Sequence, residues 1–166
     1  MKLLKLTASS LLLLGFVLGF SSCERDAEQK IQTDFSKSGI VLTGANETPA
    51  TASTAIGSMD VYYTRETRIL SYTVTWSGLT GAVTAMHIHG KAPTGFAAAV
   101  FQNIITSADG IFKPGAAYGA SSKVSATLLV DGVTIKEDDL LNGQYYMNIH
   151  TAAYPAGEIR AQIKFQ

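Results

Sequence analysis

The segment Leu70–Trp76, with the sequence LSYTVTW, gives the clearest indication of the fold. Its large apolar residues alternate with hydroxyl residues, a pattern typical of a β-strand that buries one face. Seven further segments have the same character and are separated by Gly, Pro, Asn and Asp; they are 40–45, 53–64, 83–89, 97–104, 123–130, 144–150 and 158–165. Short strands at this spacing predict a single all-β domain, a Greek-key β-sandwich of about eight strands.

One short helix is predicted near residues 134–142. Thr134 and Glu137 have the spacing of a capping box, and Asn142-Gly143 is a typical helix stop. The strand pattern also predicts which side chains fill the interior of the domain. The residues predicted to form the core are Leu70, Tyr72, Val74, Trp76, Met86, Ile88, Met147, Ile149, Ile159 and Ile163.

All three histidines of the chain lie in two of the predicted strands, 83–89 (VTAMHIH) and 144–150 (QYYMNIH). Side chains alternate between the two faces of a strand, so His87 and His89 share the face that points away from the apolar core positions. His150 lies on the corresponding face of its own strand. If these two strands are neighbours in the sheet, the three imidazoles converge.

Three neutral imidazoles without a thiolate suit Zn²⁺ or Cu²⁺ and leave a position for water or another ligand. Asn148, Tyr146 and Glu158 are the candidates for a fourth ligand or for groups that orient the imidazoles. A second interpretation needs no metal: the histidines would hydrogen-bond to the loops 90–96 and 151–157 and hold them in place. A His-x-His pair alone does not decide between the two interpretations.

Three segments of the chain resemble the CHRD domain, which is named for chordin. They are LTGANETPATASTAIG (42–57), SGLTGAVTAMHIHGKAPTG (77–95) and LLNGQYYMNIHTAAYPAGEIRAQI (140–163), which carry the recurrent E-x-P, H-I-H, Y-x-N-x-H-T and P-x-G-E-I-R motifs. The resemblance implies a binding or structural module and not an enzyme, since chordin is an extracellular protein that binds growth factors. Single CHRD domains of bacterial secreted proteins and lipoproteins have largely no assigned activity.

A shorter resemblance links GLTGAVTAMHIH (78–89) to Cu/Zn superoxide dismutase, a Greek-key β-sandwich of eight strands. It implies metal-ligand roles for His87, His89 and His150 and a superoxide-dismutase-like or immunoglobulin-like sandwich. That enzyme needs several further histidines and an aspartate, and this chain has no fourth histidine. The resemblance therefore implies at most a mononuclear site.

The N-terminal segment has the features of a secretory signal. Lys2 and Lys5 precede the apolar run 11–20, which is too short to span a bilayer. The sequence FSSC that follows resembles the lipobox of bacterial lipoproteins. We therefore expect a signal peptide over 1–22, a lipid on Cys23, a flexible tether over 23–38 and the domain over 39–166. The expected location is the bacterial cell envelope, at the outer membrane and facing the periplasm or the outside.

Composition excludes several classes of protein. The 166 residues carry 13 Lys+Arg and 13 Asp+Glu, and this zero net charge argues against a nucleic-acid partner. A lone cysteine excludes a disulfide framework, and the sequence has no G-x-S-x-G, Walker or dinucleotide motif. We expect a lipid-anchored, non-catalytic binding or structural module with a protein or glycan partner outside the cytoplasm. The alternatives are a mononuclear Cu- or Zn-binding protein and, as a distant third, an envelope enzyme.

Overall fold

The computed structural model describes residues 32–106 and 118–166. The predicted signal peptide 1–22, the predicted lipidation site Cys23 and the first part of the predicted tether lie outside the described residues. The described elements, in chain order, are β1 (Asp34–Thr43), a 3₁₀ turn (Gly44–Asn46), β2 (Ile56–Thr64), β3 (Ile69–Ser77), β4 (Val83–Gly90), β5 (Val100–Thr106), β6 (Ser122–Leu129), α1 (Glu137–Leu141), β7 (Tyr145–Thr151) and β8 (Ile159–Gln162).

The eight strands form one antiparallel sheet in the order β5-β4-β7-β8-β1-β2-β3-β6. The sheet rolls up until its two ends approach each other, because Gln102 of β5 reaches both β3 and β6. Its side chain accepts a hydrogen bond from the Tyr72 hydroxyl at 2.8 Å and donates one to the Thr127 carbonyl at 2.8 Å. The predicted all-β class, with about eight strands and one short helix, is confirmed; the strands form a single, nearly barrel-shaped sheet.

The core lies inside the rolled sheet, and the period-two pattern identifies it correctly. Each of the ten predicted core residues is buried, and none is more than 4% exposed. Trp76 is buried together with its polar nitrogen, since Nε1 donates to the Gly119 carbonyl at 3.1 Å. Burial of large apolar side chains on every strand is the main source of stability in such a domain.

The first strand begins earlier than predicted. β1 starts at Asp34, inside the segment 23–38 that was predicted to be a tether. Phe35 explains the difference, because its ring packs at 6.1 Å from the ring of Tyr63 and at 6.2 Å from that of Phe165. These contacts are made with distant parts of the chain. They hold the segment in the sheet although its local sequence is polar.

The short helix is present, but the predicted capping box is absent. Thr134 does not cap α1, whose N-cap is Lys136 without a side-chain hydrogen bond. Glu137 instead accepts hydrogen bonds from the Tyr63 hydroxyl at 2.8 Å and from Arg65 Nε at 2.7 Å. A tertiary ion pair therefore replaces the local cap. Within the described part of the chain, no helix is long and apolar enough to cross a membrane.

Candidate metal centre

Strand pairing brings the three histidines together. β4 and β7 are direct neighbours, with His87 opposite Asn148 and Ala85 opposite His150. The convergence predicted from the strand pattern is therefore present. One nitrogen from each of His87, His89 and His150 lies within 4.8 Å of those of the other two. The ring centroid of His87 is 4.7 Å from that of His150 and 5.4 Å from that of His89.

Backbone carbonyls determine where two of the imidazoles carry their proton. Nδ1 of His89 lies 2.9 Å from the Ala98 carbonyl, and Nδ1 of His150 lies 3.0 Å from the Pro155 carbonyl. A carbonyl can only accept, so each Nδ1 carries the proton and donates it. In the neutral ring Nε2 then has a free lone pair. The loop-holding role and a ligand role use different nitrogens, so the two interpretations of the histidines are compatible.

The two Nε2 lone pairs point at the same oxygen. Asn148 Oδ1 lies 3.0 Å from His89 Nε2 and 2.9 Å from His150 Nε2, while His87 Nδ1 lies 3.1 Å from His150 Nε2. Tetrahedral ligands around an ion at about 2.0–2.1 Å are about 3.3 Å apart. The three distances between neighbouring atoms are thus close to those between the ligands of one metal ion.

The protein environment keeps the imidazoles neutral. Burial, together with the neighbouring His150 and His89, lowers the pKa of His87 to about 4. Burial also lowers the pKa of His89 and His150, although their hydrogen bonds to backbone carbonyls oppose this effect. Because a metal ligand must be deprotonated, neutral imidazoles at pH 7 are ready to bind an ion without first losing a proton.

Of the three candidates for a fourth ligand or an orienting group, two lie at the histidine cluster and one does not. Asn148 contacts two imidazoles, and Tyr146 stacks on His89 with ring centroids 4.7 Å apart and planes 2° from parallel. The Arg160 guanidinium lies 3.3 Å over the Tyr146 ring. Glu158 is turned elsewhere, since its carboxylate accepts hydrogen bonds from Ser53, Thr80 and Thr151.

Sequence reasoning assigned no role to two residues that the structure places beside Asn148. Glu47 is only 8% exposed, and its Oε1 has no hydrogen-bond partner among the described residues. Burial raises the pKa of Glu47 to about 7, opposed by the charge of Arg160 and by the amides of Thr48 and Asn148. Gly157 has a φ of +127°, and a Cβ added to it would collide with Glu47 Oε1 and Asn148 Nδ2. Glu47 belongs to the E-x-P motif and Gly157 to the P-x-G-E-I-R motif. Their place in these motifs is the one feature of the sequence that could have pointed to them.

Comparison with known proteins gives a match to a family model. The family model described as the CHRD domain matches residues 39–163. No curated protein and no solved structure matches the chain. The matched range contains the three histidines as well as Glu47, Asn148, Gly157 and Arg160. The contacts described above bring these residues, which lie far apart in the sequence, to one place in the fold.

Proposed function

The chain belongs to the CHRD domain family, and from that premise we propose that it is a lipid-anchored module of the bacterial cell envelope that binds one Zn²⁺ or Cu²⁺ ion. The ligands are His87, His89 and His150. The module catalyses no reaction. In this proposal the lipid on Cys23 holds the domain at the outer membrane, and the ion either is its cargo or stabilises the surface that a partner protein or glycan contacts.

One observation carries the metal assignment. His89 Nε2, His150 Nε2 and Asn148 Oδ1 meet at 2.9–3.0 Å, and all three are acceptors in the arrangement that the backbone carbonyls impose. Acceptors without a proton between them cannot hydrogen-bond to one another. A cation among them would satisfy all three lone pairs, and His87 Nδ1 is placed to supply the remaining nitrogen.

The chemistry of these ligand atoms narrows the choice of metal ion. Nitrogen ligands without thiolates favour Cu²⁺ and Zn²⁺ over Ca²⁺ and Mg²⁺, which prefer oxygen. Divalent copper generally binds such nitrogen sites more tightly than zinc does. We therefore expect Cu²⁺ to displace Zn²⁺ from the cluster. His87 is only half-buried, so the ion would enter from its side.

The test is a metal titration of the full chain, as processed by the cell and purified without a histidine tag. We expect one equivalent of Zn²⁺ or Cu²⁺, with a gain in unfolding free energy of about 2.7 kcal/mol when free metal is about 100 times Kd. The His87→Ala/His89→Ala/His150→Ala variant should lose both effects, whereas Glu66→Gln on the exposed β2–β3 turn should keep them. Unchanged binding in the triple variant would contradict the assignment, and absence of binding in the parent would leave a protein- or glycan-binding module.

The lipid anchor is tested separately. Cys23→Ser removes the only thiol that could carry the lipid, so the protein should move from the membrane fraction to the soluble fraction. Fractionation followed by mass spectrometry of the mature N-terminus measures this directly. Recovery of the parent chain in the soluble fraction with an unmodified Cys23 would be the opposite result and would exclude the anchor.

A further inference from the structure

We infer that Glu47 is a positioning residue: it turns the oxygen of the Asn148 amide toward the imidazoles and so prepares the cluster for a cation. This inference rests on the proposed metal site and concerns how that site is built. Glu47 is not itself one of the proposed metal ligands. It acts through Asn148, whose two amide ends offer opposite chemistry to an ion.

The orientation of Asn148 is the first step of the argument. An asparagine amide can be turned by a half-rotation of its last torsion, which exchanges its acceptor oxygen for its NH₂ donor. With only the lone pairs of His89 Nε2 and His150 Nε2 in front of it, the amide gains most by turning its NH₂ inward and donating twice. The structure has the oxygen inward, at 3.0 and 2.9 Å from the two nitrogens. Some other group must therefore favour the outward NH₂.

Glu47 is the group on the outward side. Its Oε1 is buried and has no hydrogen-bond partner among the described residues. Both this oxygen and Asn148 Nδ2 lie next to the position that a Cβ atom of residue 157 would occupy. A carboxylate is an acceptor on both oxygens, so it attracts the NH₂ end of the amide and repels the oxygen end. Gly157 keeps this space open, because any larger residue would place a Cβ against both atoms.

Arg160 completes the arrangement. It is 2% exposed, and its positive charge favours the ionised form of Glu47. The guanidinium does not take the carboxylate for itself. Its described hydrogen bonds go to the Phe96 carbonyl at 2.9 Å, to Thr48 Oγ1 at 3.3 Å and to Gln162 Oε1 at 3.4 Å. Glu47 is thus free of a direct ion pair with Arg160, and above a pH of about 7 its carboxylate is ionised and available to the amide.

Glu47→Gln tests the inference, because glutamine has nearly the same shape but can offer Asn148 either an oxygen or an NH₂. With Zn²⁺ alone as the probe, measured on the full processed chain by chelator competition at about pH 8, where Glu47 is ionised, we expect affinity to fall about 10- to 100-fold. Glu47→Asp, which remains an acceptor only, should lose less than Glu47→Gln. Glu66→Gln on the exposed turn is the matched control and should bind like the parent.

A second readout separates positioning from a general loss of structure. In the metal-free parent, the ¹⁵N signal of His89 Nε2 should be that of a lone pair without a hydrogen bond, since its described neighbour is the Asn148 oxygen. In Glu47→Gln this signal should shift as the Asn148 NH₂ turns inward and donates to it. This measurement depends on the local amide and not on global stability, so it decides the question even if the variant is less stable.

The outcomes are distinguishable. If the parent binds no Zn²⁺, the proposed function fails and the inference fails with it. If the parent binds Zn²⁺ and Glu47→Gln binds it equally tightly, with an unchanged His89 ¹⁵N signal, only the role of Glu47 is overturned. Weaker binding together with a shifted ¹⁵N signal supports the inference.

Discussion

Replacing Glu158 by alanine is expected to destabilise the domain by about 3 kcal/mol or more, a typical cost of removing one partner from a buried charged network. Glu158 is completely buried, and its carboxylate accepts four hydrogen bonds. Their donors are Thr151 Oγ1 at 2.6 Å, Ser53 Oγ at 2.7 Å, Thr80 Oγ1 at 2.8 Å and the Thr80 amide at 3.0 Å. Burial by itself would raise the pKa of Glu158, yet these donors bring it below its ordinary value.

The reason for the large effect is that Glu158 joins three separate parts of the chain. Ser53 lies between β1 and β2, Thr80 lies between β3 and β4, and Thr151 ends β7. Alanine would leave the buried Thr151 hydroxyl and the part-buried donors of Ser53 and Thr80 without their acceptor. Glutamine would keep the volume but would point an NH₂ at some of the same donors, so a smaller loss of stability is expected for Glu158→Gln.

Urea unfolding of the metal-free protein measures the difference. Glu66→Ala, on the exposed β2–β3 turn, is the matched control and should change the unfolding free energy by less than about 0.5 kcal/mol. A Glu158→Ala variant as stable as that control would show that the hydroxyl groups find other partners and that the carboxylate is not a structural anchor.

The three histidines are expected to lower the stability of the metal-free domain as the pH falls from about 7 to about 4. The pKa of His87 is lowered from 6.5 to about 4 in the folded state, so between these values the unfolded chain binds a proton that the folded chain does not. Stability therefore falls with acidification through this window. His89 and His150 shift in the same direction. Because His87 is half-exposed, its share is on the order of 1–2 kcal/mol.

Glu47 acts in the opposite direction and supplies an internal control. Its pKa is raised from 4.5 to about 7, so over that interval the folded state holds a proton that the unfolded state has released. This contribution to stability is present at low pH and is lost as the pH rises through about 7. Glu47→Gln should therefore steepen the loss of stability on acidification, and the triple histidine variant should flatten it.

The measurement is the urea midpoint as a function of pH in the presence of a metal chelator. Stability of Glu47→Gln, which lacks the opposing group, that rises steadily on acidification from pH 7 would contradict the lowered pKa values of the histidines. If the urea midpoints of the parent and of the triple histidine variant changed equally with pH, the result would have the same meaning, since the two proteins differ only at the cluster.

The site was partly predictable from local sequence. Alternation in VTAMHIH places His87 and His89 on one face because successive side chains on a strand point to opposite sides. No local pattern shows that β7 lies beside β4, since these strands are separated by β5, β6 and α1 along the chain. The resemblance to the CHRD domain indicated which segments matter, but it did not indicate that Glu47 lies next to Asn148.

The first strand and the helix show the same limit. Polar residues around Asp34 favour a tether by local composition, but Phe35 packs against the rings of Tyr63 and Phe165 and makes the segment a strand. Thr134 and Glu137 have capping-box spacing, yet Glu137 bonds to Tyr63 and Arg65 instead. In both cases partners distant in sequence outweigh a local preference that is worth about 1 kcal/mol.

By itself, the sequence determined the all-β class, the eight strands, the buried residues of β3, β4, β7 and β8, and the face on which the histidines lie. These features follow from side-chain alternation and turn chemistry, which act over a few residues. Only the tertiary structure decided which strands pair, which imidazole nitrogens keep a free lone pair, and which oxygen they face. Those properties depend on Ala98, Pro155 and Asn148, which are set by strand pairing and loop packing between residues far apart in the chain.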